Sequence, residues 1–83
     1  MKKSIQSDEY AAVCKKLVDM RLKAGWTQRQ LAEKLQREHS FVWRIENGER
    51  RLDVVEFFWV CKALGYDATV VYAELADAFS KCK

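Results

Sequence analysis

The sequence predicts an all-α protein, a compact bundle of five helices that forms a single domain over residues 1–83. The chain contains no proline and only three glycines, so little in it interrupts a helix. Apolar residues recur three or four positions apart in several segments, which is the spacing of one helix face. Most of these segments follow a residue that favours the position just before a helix.

The charge distribution favours a polyanionic partner for one half of the chain. The net charge is only +3, but residues 1–51 carry 12 basic and 7 acidic side chains, whereas residues 52–83 carry 3 basic and 5 acidic ones. The positive excess suits nucleic acid, although ordinary solvated charge explains it about as well. A chain of this length holds one core that is marginal in size, so oligomerisation is expected to help.

The first helix is predicted to begin after Ser7, with a basic arm over residues 1–6 before it. Asp8 and Glu9 in the first turn complement the helix dipole, and Gly25 suits a left-handed C-terminal cap. The residues of the buried stripe are Tyr10, Val13, Cys14, Leu17 and Met20.

The next two helices are short and close together, which predicts a helix-turn-helix. Thr27 suits an N-cap and Gln30 its capping-box partner, so one helix starts near Gln28. The apolar spacing breaks after Leu35 and resumes in a third helix from about His39 to Asn47. In such a pair the second helix can enter the major groove of DNA.

Two further helices are predicted beyond this pair. Asp53 and Glu56 form a capping box for the fourth helix, and Asp67 caps a fifth helix over residues 68–81. The fourth helix is apolar around too much of its circumference for a simple surface helix, because Trp59 adds to its core stripe. Excess aromatic area of this kind often marks an interface.

Four segments of the chain resemble the Cro and lambda-repressor regulators, the XRE family of helix-turn-helix proteins. The segments are Leu-Lys-Ala-Gly-Trp-Thr-Gln at 22–28, Leu-Ala at 31–32, Ile-Glu-Asn-Gly-Glu-Arg at 45–50 and Ala-Leu-Gly at 63–65. They occur in the family's order, and the span from the first to the last is about half of the chain. The resemblance implies a lambda-repressor-like fold and binding to double-stranded DNA.

The resemblance also implies roles for individual residues. Arg21 is expected to form a salt bridge with Glu46 that fixes the first helix against the third, the alternative being an exposed arginine. Gln28 is expected to contact phosphate and to brace the recognition helix. The remaining expected phosphate contacts are Thr27, Arg29, Asn47, Arg50 and Arg51.

Base recognition is assigned to the third-helix residues that turn away from the predicted core: His39, Ser40, Trp43 and Arg44. Arg44 suits either a bidentate contact to guanine or a contact to phosphate, and Ser40 can bond to several base edges. Trp43 is the unusual member. It suits a thymine methyl group, or else a protein contact or burial against neighbouring helices.

The turn between the two helices departs from the family's pattern. Relatives have glycine, a small apolar residue and serine or threonine where this chain has Gln36, Arg37 and Glu38. Either Gln36 tolerates a strained left-handed backbone or the turn is built differently. These departures support an alternative function, a protein-interaction module that keeps the fold with weak or no DNA binding.

The C-terminal region is expected to form a homodimer interface, as the resemblance implies. The residues assigned to it are Trp59, Val71, Tyr72, Leu75 and Phe79. Intramolecular packing of the same residues is the alternative.

Several functions and locations are not expected from this sequence. Cys14, Cys61 and Cys82 are widely spaced and His39 is the single histidine, so neither a metal nor another cofactor is predicted. No catalytic constellation surrounds His39, which argues against an enzyme. The absence of an apolar leader predicts a cytoplasmic, nucleoid-associated protein. The favoured function is a sequence-specific transcriptional regulator, a dimeric repressor or autoregulator at an inverted repeat.

Overall fold

The prediction of five helices is confirmed by the computed structural model, which describes residues 7–82. The helices are α1 (Asp8–Ala24), α2 (Gln28–Lys34), α3 (Ser40–Glu46), α4 (Val54–Leu64) and α5 (Ala68–Ser80). The described residues contain no strand, so the fold is all-α. The basic arm expected over residues 1–6 lies outside the described residues.

Local side-chain caps determine where the helices begin. The Ser7 hydroxyl accepts a hydrogen bond from the amide of Tyr10 at 3.2 Å and so starts α1. Thr27 and Gln30 exchange reciprocal bonds of 3.0 and 2.9 Å at the start of α2. Each bond satisfies an amide that the helix itself leaves without a partner.

The later helices use the same device. Asp53 accepts from the amide of Glu56 at 2.7 Å, and the Glu56 carboxylate accepts from the Asp53 amide at 3.0 Å. Asp67 accepts from the amide of Thr69 at 2.9 Å and caps α5. These caps are the ones that the sequence predicted.

The core lies beneath the buried face of α3, which packs against α1 and α2. Phe41, Val42 and Ile45 of α3 are each no more than 2% exposed. Ala32 of α2 is fully buried, and its small side chain lets α2 approach α3 closely. The remaining core residues are Leu17, Met20, Leu31, Val60, Cys61, Leu64, Val71 and Leu75.

The turn between α2 and α3 has the backbone of a glycine turn although it contains no glycine. Gln36 has a φ of 58° and is the single non-glycine residue with positive φ among the described residues. Its amide bonds to the carbonyl of Glu33, and the amide of Arg37 bonds to the carbonyl of Ala32, both at 3.0 Å. This pair of bonds is a Schellman motif, which normally places glycine at the left-handed position. Gln36 therefore adopts the strained left-handed conformation, and the turn is not built differently.

Helix α3 is one residue shorter at each end than the predicted span of about His39 to Asn47. His39 occupies the N-cap position but already has helical backbone angles, and its side chain makes no capping bond. Asn47 forms the C-cap. Within residues 7–82, the helices all fall short of the length and hydrophobicity needed to cross a membrane.

Candidate nucleic-acid interface

The exposed face of α3 carries all four side chains that the sequence assigned to base recognition. These residues, which are exposed in the structure, are His39, Ser40, Trp43 and Arg44. The opposite face is anchored in the core by Phe41, Val42 and Ile45. Trp43 is 44% exposed, so its side chain is not buried against neighbouring helices.

A buried ion pair fixes the C-terminal end of α3 against α1. Arg21 donates to both carboxylate oxygens of Glu46, through Nε at 2.7 Å and Nη2 at 3.1 Å. Gln28 at the start of α2 donates to the same carboxylate at 2.9 Å. The Glu46 side chain is only 3% exposed and that of Arg21 11%. The pair expected from the resemblance is therefore present, and it joins three helices at one carboxylate.

Two side chains of α1 satisfy backbone carbonyls at the end of α3. The hydroxyl of Tyr10 donates to the carbonyl of Arg50 at 2.9 Å and lies 3.5 Å from that of Ile45. The thiol of Cys14 also donates to the Ile45 carbonyl, at 3.3 Å. Burial raises the pKa of Tyr10 to about 12. Its hydroxyl therefore stays protonated and keeps donating throughout the physiological pH range.

Four of the six residues assigned to phosphate contacts make side-chain hydrogen bonds within the protein: Thr27, Gln28, Asn47 and Arg50. Thr27 caps α2, and Gln28 binds Glu46. The amide group of Asn47 donates to the carbonyl of Trp43 at 2.9 Å. Arg29 is exposed, and the guanidinium of Arg51 lies 5.8 Å from the centre of the Tyr10 ring.

Arg50, which was expected at phosphate, has a partner inside the protein. Its guanidinium forms two hydrogen bonds of 2.8 Å with the carboxylate of Glu56. These bonds hold the pKa of Glu56 down at about 2, and the same contact raises the pKa of Arg50. The Glu56 carboxylate thus binds the guanidinium group that the resemblance assigned to DNA.

The same carboxylate explains the unusual Arg37 in the turn. Arg37 donates to Glu56 at 3.0 Å, and its guanidinium lies 4.0 Å from the centre of the Phe41 ring. An arginine that stacks on an aromatic ring and pairs with a carboxylate can replace a small apolar residue there. The backbone of the turn is thus preserved, while its side-chain contacts differ from the expected pattern.

Residues 16–75 match the helix-turn-helix domain family. A solved structure of an XRE-family like protein from Pseudomonas syringae pv. tomato str. DC3000 is similar, with a TM-score of 0.80 at 41% sequence identity, covering 84% of this chain and 85% of that one. This chain belongs to the XRE type of helix-turn-helix proteins. A point mutant of the restriction-modification controller protein C.Esp1396I is also similar, with a TM-score of 0.78 and 27% identity over 90% of this chain and 95% of that one. No curated protein matches the chain.

The family assignment establishes the general function of the chain. XRE-type helix-turn-helix proteins regulate transcription by binding DNA, and they act by binding rather than by catalysis. This chain is accordingly a DNA-binding regulator. Residues 7–82 hold no cluster of acidic, histidine and cysteine side chains arranged to bind a metal ion.

The expected dimer interface of this XRE-type protein needs a correction. Val71 and Leu75 are only 2% and 5% exposed because they close the core beneath α5, so they have no surface to offer a partner. Trp59 and Tyr72 are 51% and 55% exposed, and Phe79 is partly buried. Trp59 lines a groove beside the end of α2, whereas Tyr72 and Phe79 line a separate cleft beside α1. Of the five expected residues, Trp59 and Tyr72 are thus the ones that are widely exposed.

Sequence reasoning missed three side chains that hold the recognition helix in place: Tyr10, Arg37 and Glu56. Tyr10 was assigned to the core, and its hydroxyl contacts depend on tertiary placement. Glu56 was assigned to the capping box alone. The signal for the missed cluster was Arg37, a charged residue at a position where the family has a small apolar one. A charge there requires a partner, and Glu56 is that partner.

Proposed function

We propose that this regulator reads a specific DNA sequence as a homodimer and represses transcription from an inverted-repeat operator. The observation that carries the proposal is the exposed polar and aromatic face of α3, presented by a helix whose other face is buried. The contacts from Arg21, Gln28 and Tyr10 restrict how α3 can tilt. A rigidly held helix can impose a defined register on base edges, as sequence recognition requires.

Base recognition is proposed for the four exposed residues of this face. The Arg44 guanidinium suits the two acceptors of guanine, and the Ser40 hydroxyl suits either a donor or an acceptor. His39 lies at the start of the helix, 3.6 Å from Glu33, and its ring can donate to a guanine acceptor. The Trp43 indole offers an apolar surface to a thymine methyl group.

Phosphate contacts are proposed on the two sides of α3. Thr27, Gln28 and Arg29 lie at the start of α2, the helix that would cross the DNA backbone. Asn47 and Arg51 lie beyond the end of α3. Such contacts position the protein without carrying sequence information, whereas specificity comes from α3.

Homodimerisation is proposed through the outward surface of α4 and α5. Val55, Phe58 and Trp59 on α4 are between 46% and 60% exposed, and Tyr72 on α5 is 55% exposed. Phe58 and Trp59 contact each other edge to face, with ring centres 5.0 Å apart. So much exposed apolar area on a small domain favours an interface. A two-fold dimer would place its two recognition helices about 34 Å apart, one turn of DNA.

Repression is proposed from size and architecture. A domain of this kind bound across a promoter blocks polymerase by occupying the DNA, and no additional contact is needed. One structural relative is a restriction-modification controller protein, which supports a regulatory role.

Selection of bound sequences from random double-stranded DNA tests the proposal. We expect an inverted repeat whose half-sites are centred about 10 base pairs apart. Arg44→Ala should lose specificity at one base pair of each half-site, whereas Lys81→Ala, just after α5, removes the same charge and should retain it. Binding that shows no salt dependence on any duplex would instead favour the protein-interaction module.

A further inference from the structure

One carboxylate in the structure binds basic side chains from both sides of the recognition helix. Arg37 precedes α3 and donates to Glu56 at 3.0 Å, and Arg50 follows α3 and donates twice at 2.8 Å. Glu56 itself lies in the first turn of α4. The chain segments that enter and leave α3 are thus tied to the same point on α4.

The two arginines also share an aromatic surface. Their guanidinium carbons lie 4.0 Å (Arg37) and 5.1 Å (Arg50) from the centre of the Phe41 ring, which belongs to α3 and is 2% exposed. Stacking and ion pairing together restrict both guanidinium groups. The side chain of Glu56 is only 15% exposed, so solvent screens these ion pairs incompletely.

Glu56 binds these groups as a phosphate would. Carboxylate and phosphate both accept two parallel hydrogen bonds from a guanidinium group, so they compete for the same partner. The Arg37 and Arg50 side chains are 33% and 37% exposed, which leaves them accessible to DNA if the carboxylate releases them. Two unoccupied arginines beside α3 would increase affinity for every DNA sequence alike.

We propose that Glu56 is a positioning residue that determines specificity. It keeps Arg37 and Arg50 from the DNA backbone and holds α3 at a fixed angle, so that affinity depends on base recognition rather than on charge. The proposal rests on the proposed DNA-binding function. It assigns to Glu56 a role beyond its capping bond with Asp53.

Salt titration of random-sequence duplex binding tests this role with the variant Glu56→Gln. Glutamine keeps the size and the capping bond but loses the charge. Release of both arginines should steepen the salt dependence of binding. Between 50 and 200 mM salt, the affinity of the variant should then fall about 12-fold more than the affinity of wild type. If only one arginine is released, the additional fall should be about 3.5-fold. The ratio of affinity for the selected sequence to affinity for random duplex should also fall.

Asp53→Asn is the matched control. It removes the same charge from the same turn, and asparagine is an equally good cap. Neither arginine loses a hydrogen-bond partner in this variant, so we expect the wild-type salt dependence and specificity ratio. An equal steepening in both variants would show that net charge alone is responsible, and the proposal would fall. It also falls if Glu56→Gln matches wild type in salt dependence or in specificity ratio.

Arg37→Ala tests the proposal independently, including the case in which Glu56→Gln does not fold. Because the Arg37 guanidinium is occupied by Glu56, its removal should leave the wild-type salt dependence unchanged. A flatter dependence would mean that Arg37 already binds phosphate, which overturns the proposal. Wild-type protein without any salt-dependent DNA binding would refute the DNA-binding function itself. If wild type binds DNA and the variant behaves like wild type, only the role proposed for Glu56 is refuted.

Discussion

Replacing Arg21 with alanine is expected to destabilise the protein strongly. The substitution removes two hydrogen bonds to Glu46, of 2.7 and 3.1 Å, and a third of 2.9 Å to the carbonyl of Trp26. The Glu46 carboxylate, 3% exposed, is left with Gln28 as its one remaining side-chain hydrogen-bond donor within residues 7–82. Breaking a buried ion pair in this way costs about 3–5 kcal/mol.

That cost is large relative to the whole stability of such a domain. A chain of this size unfolds with a free energy on the order of 4–12 kcal/mol, so the variant is expected to lose about a quarter of it or more. Urea denaturation followed by circular dichroism measures the loss. For a slope of about 1.5 kcal/mol per M, the unfolding midpoint should fall by about 2 M or more.

Two comparisons make the Arg21 prediction specific. Lys16→Ala breaks an ion pair with Glu74, which is 55% exposed, and should cost at most about 1 kcal/mol. Replacing Arg21 and Glu46 together with methionine should recover part of the loss, because no unpaired charge is then buried. A loss below about 0.5 kcal/mol in Arg21→Ala would refute the reasoning, since only an exposed, weakly coupled pair costs so little.

Three further predictions follow from other parts of the structure. Arg50 holds the folded-state pKa of Glu56 at about 2, below the ordinary 4.5, so the unfolded chain takes up this proton first. The free energy of unfolding should therefore fall as the pH drops from about 4.5 towards 2. Urea titrations of Glu56→Gln should show a weaker pH dependence than wild type. An identical pH dependence in both proteins would contradict the ion pair. Gln36→Gly should stabilise the protein by about 1 kcal/mol because it relieves the left-handed backbone, and a destabilised variant would contradict the strain. Trp59→Ala should weaken self-association at least about tenfold in sedimentation velocity, with Lys23→Ala at an exposed position of α1 as a control, whereas monomeric wild type at micromolar concentration would exclude the dimer.

The fold was predictable from the sequence because its signals are local. Thr27 with Gln30, and Asp53 with Glu56, are capping pairs three residues apart, and such pairs can be read without knowing the tertiary structure. Helical spacing likewise identifies Ile45 as a core residue. The one long-range pair that was predicted, between Arg21 and Glu46, came from the resemblance to the family.

The candidate site was predictable only in part, because its side chains have long-range partners. Arg50 and Glu56 are close in sequence, but whether the arginine faces DNA or the carboxylate depends on how α4 packs against α3. The contact of Arg37 with Glu56 spans 19 residues and leaves no periodic signal. Val71 shows the opposite difficulty, since an apolar row on a helix does not reveal whether it faces the core or a partner.

The most direct test of the account is the affinity of wild type and Arg44→Ala for the selected duplex and for duplexes that differ from it at one base pair. If the exposed face of α3 reads bases, wild type should discriminate by about 1–3 kcal/mol at the base pair that Arg44 contacts, and the variant should lose discrimination there alone. Equal discrimination by both proteins at every position would contradict the account. Uniform weakening across all sequences would also contradict it, because Arg44 would then bind phosphate rather than a base.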